Sequence, residues 1–251
     1  MFRHRSIFLL AAALAALLSG CGGGKGTSDN LVTLRTGSTW VYSLAGTVTL
    51  SAAQGGIPGG STQNLQSTST YTMQVISGTV NDANKQPTNI LDRVFDLKLL
   101  DGREIKAHFR LYYTQSNLGI FVHGINDYVG DTASASNDKF APAAANPPYQ
   151  FLYLPNPLSD GTNLSYVNPL DLFTTANESY TLAVGTGRQP VTTPAGTFLA
   201  KAVQITENFD NFALTNTGIV PNIGIVVGTV TATLPDGSQV TGTITLQSVN
   251  L

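Results

Sequence analysis

Side chains able to do acid-base, nucleophilic or metal chemistry are scarce in this chain. Of its 251 residues three are histidine and one is cysteine. His4 lies among the first few residues, which leaves His108 and His123 as the imidazoles available to a folded domain. His108 falls in the set Glu104, Lys106, His108, Arg110 and Tyr112, the polar half of an alternating run. That placement predicts a solvated surface histidine rather than a general base. His123 ends an apolar run before Gly124, and a metal site built on both histidines would need Asp127 or Asp131 beside them. Nothing in the spacing supports such a set. Asp127, Asp131 and Asp138 lack the spacing of a calcium loop and read as a solvated acidic loop. No Gly-x-Ser-x-Gly, His-Glu-x-x-His or Gly-x-x-x-x-Gly-Lys-Ser/Thr motif occurs. Gly185-Thr186-Gly187-Arg188, ahead of Pro190, is a turn rather than a phosphate cradle. The sequence therefore assigns no catalytic residue, no metal ligand and no cofactor. Carboxylate-only catalysis stays open, because paired Asp or Glu residues suffice for glycoside hydrolysis and leave no motif.

The elements that would position these groups read as strands. Charged residues are 11% against roughly 25% in typical soluble proteins, so Thr, Ser, Asn, Gln and Gly must cover the surface. Threonine favours a pleated, half-exposed sheet. Residues Ile105, Ala107, Phe109, Leu111 and Tyr113 share one face of a strand, and Val240, Gly242, Ile244 and Leu246 share one face of another. Asp101-Gly102 and Asp236-Gly237 are turn dipeptides of the kind two-residue hairpins prefer. Leu118 to Ile125 reads as a short strand, and residues 130–148 as a long loop without period. Gly37 to Tyr42 and Gly161 to Tyr166 share a pattern that hints at two related halves. Helical spacing is confined to one short stretch, Asn168 to Thr175. The expected fold is all-β: an antiparallel, curved open sheet or barrel-like domain over residues 34–251, with at most one or two short helices. The formal net charge of -2 gives no basic field for a phosphate backbone, so nucleic acid is not an expected partner. A lone cysteine forms no intrachain disulfide and no Cys-based zinc site.

That cysteine, Cys21, follows a cationic start at Arg3, His4 and Arg5, an apolar run from Ile7 to Leu18, and the small residues Ser19 and Gly20. The apolar run is shorter than the roughly 20 residues a bilayer span needs. Leu18-Ser19-Gly20-Cys21 resembles the lipobox of bacterial lipoproteins. The resemblance implies a signal peptide over residues 1–20, signal-peptidase recognition at Leu18, Ser19 and Gly20, and lipidation of Cys21. It implies membrane attachment through the lipid, with residues 21–33 as the lipidated cysteine and a flexible tether. Gly22 in place of Asp leans towards the outer membrane of a bacterial cell envelope.

Two further resemblances concern the domain. Val191-Thr192-Thr193-Pro194-Ala195-Gly196-Thr197-Phe198, with Gly37 to Tyr42 before it and Pro221 to Val226 after it, resembles a set of motifs in poorly characterised exported bacterial β-proteins. Pro194 and Gly196 are there as turn chemistry. Such domains are similar to the curved, open barrel of the LolA/LolB carriers, a likeness of fold alone. The expectation is a non-catalytic envelope module for interaction or structure, with another envelope component as partner. A carrier of lipid or another apolar ligand is the alternative, and an envelope hydrolase a distant third.

Overall fold

The structure is a computed structural model that describes residues 29–52, 57–83, 85–140, 151–167, 178–208 and 212–251. Leu18 to Cys21 and the stretch Asn168 to Thr175 lie outside the described residues.

Among the described residues one antiparallel sheet of fifteen strands carries the fold, and its order is a meander run from both sides towards the centre. Strand β1 (Thr39–Thr49) lies at the centre, with the small β2 (Thr62–Asn64) beside it. From there β3 (Thr70–Asn81), β4 (Pro87–Lys98), β5 (Glu104–Ser116) and β6 (Gly119–Val129) run outwards in order. Short strands β7 (Lys139–Phe140) and β8 (Phe151–Pro155) add to the far side of β6. The second half runs back inwards through β9 (Asn163–Val167), β10 (Ser179–Val184), β12 (Gly196–Glu207), β13 (Phe212–Val220), β14 (Gly224–Thr233) and β15 (Gln239–Asn250). Strand β11 (Gln189–Thr193) pairs with β12. Strand β15 returns to β1, so first and last strands zip together from Thr39↔Asn250 to Thr49↔Gln239.

The sheet is open, not a barrel. Its two free ends, at β8 and β9, meet through aromatic side chains instead of a ladder: Phe151 lies 5.7 Å from Tyr166 and 5.0 Å from Tyr180, ring centre to ring centre. The Tyr180 hydroxyl donates to the Tyr153 carbonyl. Curvature brings the halves face to face around one core. Phe212 of β13 packs against Tyr71, Phe95 and Phe109 of β3, β4 and β5 at 6.3 to 6.4 Å, although three strands separate β13 from β3 along the sheet. The alternation read from the sequence fills that core: Ile105, Ala107, Phe109, Leu111, Tyr113, Val240, Ile244 and Leu246 are all buried.

Both Asp-Gly turns join strands, with a different loop length from the one expected. In each, the Gly N–H donates to a carbonyl three residues back, Gly102 to Leu99 and Gly237 to Leu234. The bracketing bonds are Leu99 N–H to Arg103 and Leu234 N–H to Ser238, which makes three-residue loops. Gly102 and Gly237, at φ +88° and +84°, take the left-handed position that such loops need. Asp101 and Asp236 accept the backbone N–H two residues on, at 3.1 and 2.9 Å, and so fix the turn. Pro194-Ala195 is a true two-residue loop, closed by Thr193↔Gly196. The loop expected over 130–148 holds structure in its first part. Residues Ala135–Asn137 form a 3-10 turn and Lys139–Phe140 a strand, because Asn126, Tyr112 and Asp138 tie this segment down on β5 and β6. The strand expected over Leu118 to Ile125 runs on to Val129.

Candidate functional site

The sheet's outer face carries two histidines, each bound to its own aspartate. Alternation does put His108 on the outer face of β5, but the histidine is buried at 6% exposure, which corrects the solvated reading. Its cross-strand neighbour Tyr128 stacks on the ring at 4.4 Å, and Arg110 lies over Tyr128 at 4.9 Å. Asp92 of β4 sits 3.1 Å from Nδ1 through both oxygens, so Nδ1–H donates to the carboxylate. Nε2 is buried without a partner.

His123 occupies a bulge. Tyr112 pairs with Gly124 and Tyr113 with Val122, which leaves His123 as the extra residue of β6. A bulge re-aims a side chain, and this one turns the imidazole towards Thr114 and the β3–β4 turn. Asp82 Oδ2 lies 3.0 Å from Nδ1 and Thr114 Oγ1 lies 2.9 Å from Nε2. Burial pushes the His123 pKa below its ordinary value against the pull of Asp82. A neutral ring therefore donates from Nδ1 to Asp82 and accepts the Thr114 hydroxyl at Nε2. Acid, base and hydroxyl in that order match the arrangement of a nucleophilic triad. The other requirements are a substrate hollow and donors for an oxyanion. None of the hollows described below is lined by Asp82, Thr114 or His123.

The inner face holds a buried ion pair that sequence reading missed. Arg93 of β4 donates from NH1 to both carboxylate oxygens of Glu207 on β12 at 3.1 Å, with side chains 2% and 0% exposed. The Tyr153 hydroxyl donates to the same carboxylate, and Arg93 lies over the Phe212 ring at 4.3 Å. Nothing local signals this pair, because its partners are 114 residues apart. Asp127 also departs from its expected place. It sits on β6 opposite Phe109, facing inwards, not in a solvated loop. Burial raises its pKa to about 7 against the opposing pull of Arg93 and Lys139. One of its oxygens, Oδ1, is buried without a hydrogen-bond partner. Asp138 accepts from Tyr112 and Asn126. Of the three aspartates only Asp131 is solvated as expected, paired with Lys106 at 2.6 Å.

His108, His123, Asp127 and Asp131 thus occupy four separate settings. Among the described residues no group of three or more His, Cys, Asp or Glu side chains is placed to hold a metal ion. The hollows are of two kinds. An apolar cavity of about 80 Å³ lies within the sheet, lined by Leu31, Trp40, Leu111, Tyr113 and Ile219 among others. Open polar hollows of about 620 and 520 Å³ lie near Asp127, Lys139, Asp131 and Asp236. No family model, no curated protein and no solved structure matches this chain. Ion pairs and histidine-carboxylate pairs that satisfy each other across strands serve first to hold the outer and inner faces in register.

The chain's first described residues close one end of the sheet. Asp29 is gripped by Arg188 at 2.7 Å and by the buried Lys201 at 2.9 Å. Burial raises the Asp29 pKa and hydrogen bonds from Lys201 and Arg188 lower it by more, so the group is held below its ordinary value. Asp29, inside the stretch expected to be flexible tether, is therefore packed against the fold.

Proposed function

We propose that this protein is a lipid-tethered, non-catalytic module of a bacterial cell envelope, acting through its outer surface in interaction or structure. The observation that carries the reading is the separation of its reactive groups. His108, His123 and Arg93 each meet a carboxylate in a separate local pair, Asp131 pairs with Lys106, and none of the hollows described above is lined by Asp82, Thr114 or His123. The tether follows from the Leu18 to Cys21 motif and leader, with the outer membrane as the favoured site. Anchoring by two or three acyl chains would hold the domain at the membrane, and Arg188 and Lys201 would fix where the tether enters the fold.

The carrier reading has less support. Sites for drug-sized ligands span roughly 300–1,000 Å³, and the interior cavity is about 80 Å³. The test has two arms. Cys21→Ser should abolish acyl labelling and release the protein from membranes; a variant that stays in the membrane fraction and takes up palmitate would overturn the tether. A fluorophosphonate probe should leave Thr114 unlabelled. Labelling that Thr114→Val or His123→Ala removes would overturn the non-catalytic reading.

A further inference from the structure

The interior cavity has features that simple imperfect packing does not explain. Its lining is apolar apart from Arg93, which Glu207 neutralises, and a few tyrosines; one of these is Tyr113, 1% exposed, whose hydroxyl is buried without a hydrogen-bond partner. Buried polar groups nearly always find a partner, so a hydroxyl left without one beside an empty volume marks a position for an acceptor. The volume of about 80 Å³ is roughly half the ~150 Å³ that takes benzene. That is room for a molecule on the order of three or four non-hydrogen atoms, and far too little for a whole lipid.

One wall is unlike the rest. Leu31, Val32 and Leu34 line the cavity from a strap that belongs to no strand. The strap is pinned by single hydrogen bonds: Leu31 N–H to Asn156 Oδ1 at 2.8 Å, Val32 N–H to the Pro221 carbonyl at 2.7 Å, and Leu34 N–H to Gln115 Oε1 at 2.9 Å. Gln115 Nε2 returns a bond to the Val32 carbonyl at 2.9 Å. Apart from Pro221 in the β13–β14 turn, the other walls are ladder-bound strands. Entry is therefore cheapest where the strap lifts.

We propose that this cavity is a binding site for a small, neutral, mostly apolar molecule carrying one hydrogen-bond acceptor, which receives the Tyr113 hydroxyl, and that residues 31–34 are the wall that opens to admit it. The site goes beyond the proposed envelope role and does not depend on it. Trp40 is the only tryptophan and lines the cavity, so its indole N–H gives one resolved nuclear magnetic resonance signal that reports occupancy.

The probe is acetone, which has four non-hydrogen atoms and one acceptor, titrated into the full chain while that signal is followed. A saturable shift is expected. Tyr113→Phe, which removes only the unpartnered hydroxyl, should fold normally and weaken binding roughly five- to tenfold. Leu34→Phe, which fills the cavity from the half-buried strap, should abolish the shift. Gln115→Ala, which removes two of the pins, should speed exchange. No saturable shift in the wild type would overturn the site, as would a shift that Leu34→Phe leaves intact. Equal affinity in Tyr113→Phe would overturn the assigned ligand class. Labelling of Thr114 by a fluorophosphonate bears only on the non-catalytic reading, so the two failures are distinguishable.

Discussion

Single residues carry the plainest physical consequences. Arg93 and Glu207 are buried together, so removing one partner strands a charge, at a cost of about 3–5 kcal/mol. Chemical unfolding of Glu207→Leu should show that loss, and Arg93→Met with Glu207→Leu should recover most of it. A double variant as unstable as the single one would mean the pair is not the cause. Asp127 sets a pH dependence. Its folded pKa of about 7 lies above the ordinary 3.8, so the folded state holds a proton that the unfolded state has released. Its contribution is fully present below about pH 4 and is lost as pH rises through 7. His123 works in the opposite sense, since its pKa is depressed and stability is lost as pH falls below its ordinary 6.5. Asp127→Asn should therefore gain on the wild type between pH 5 and pH 8 by on the order of a few kcal/mol. Parallel stability profiles would contradict the burial of that carboxylate. His108 shows where reading at this scale stops. Period two placed it on the outer face, but its cover comes from Tyr128 and Arg110, whose approach depends on the register of β5 against β6.

At the scale of elements the strands were legible, because a half-buried strand writes its period into adjacent residues. The faces of β5 and β15 came out as read, and both Asp-Gly turns fell between strands. Their third loop residue was unevenly legible: Leu100 carries no turn signal, whereas Pro235, which lacks an N–H for the ladder, marks Pro235-Asp236-Gly237 as a loop. The bulge at His123 was not legible either; it lies next to Gly124, which pairs with Phe140 of β7. Gly124 is the device that lets β7 in: a Cβ there would meet the Lys139 carbonyl at 2.4 Å and the Phe140 ring at 2.7 Å. Gly124→Ala is expected to push β7 away, loosen the stacking of Phe140 on Tyr112, and cost about 1–3 kcal/mol by overpacking. Thermal unfolding measures it. An unchanged melting temperature would mean that β7 contributes nothing to the fold.

Over the whole molecule, two meanders meet at β1 and β15 and leave a seam at β8 and β9. The all-β class and open, antiparallel sheet followed from composition and alternation, whereas the order of strands did not. Contacts such as Arg93 with Glu207 join the halves across the core and have no counterpart in local sequence. The same holds for the strap, where Asp29 and Leu31 look like tether until Lys201, Arg188 and Asn156 are seen to hold them. The strap of residues 29–34 packs against this domain, whose interior cavity of about 80 Å³ is too small for a whole lipid. The most direct test is the intact mass of the protein extracted from bacterial membranes under native conditions. The mass should equal the chain from Cys21 onward plus covalent acyl groups on that cysteine, with no further lipid retained. A chain without covalent acylation, or one that holds a lipid non-covalently, would contradict the proposed role.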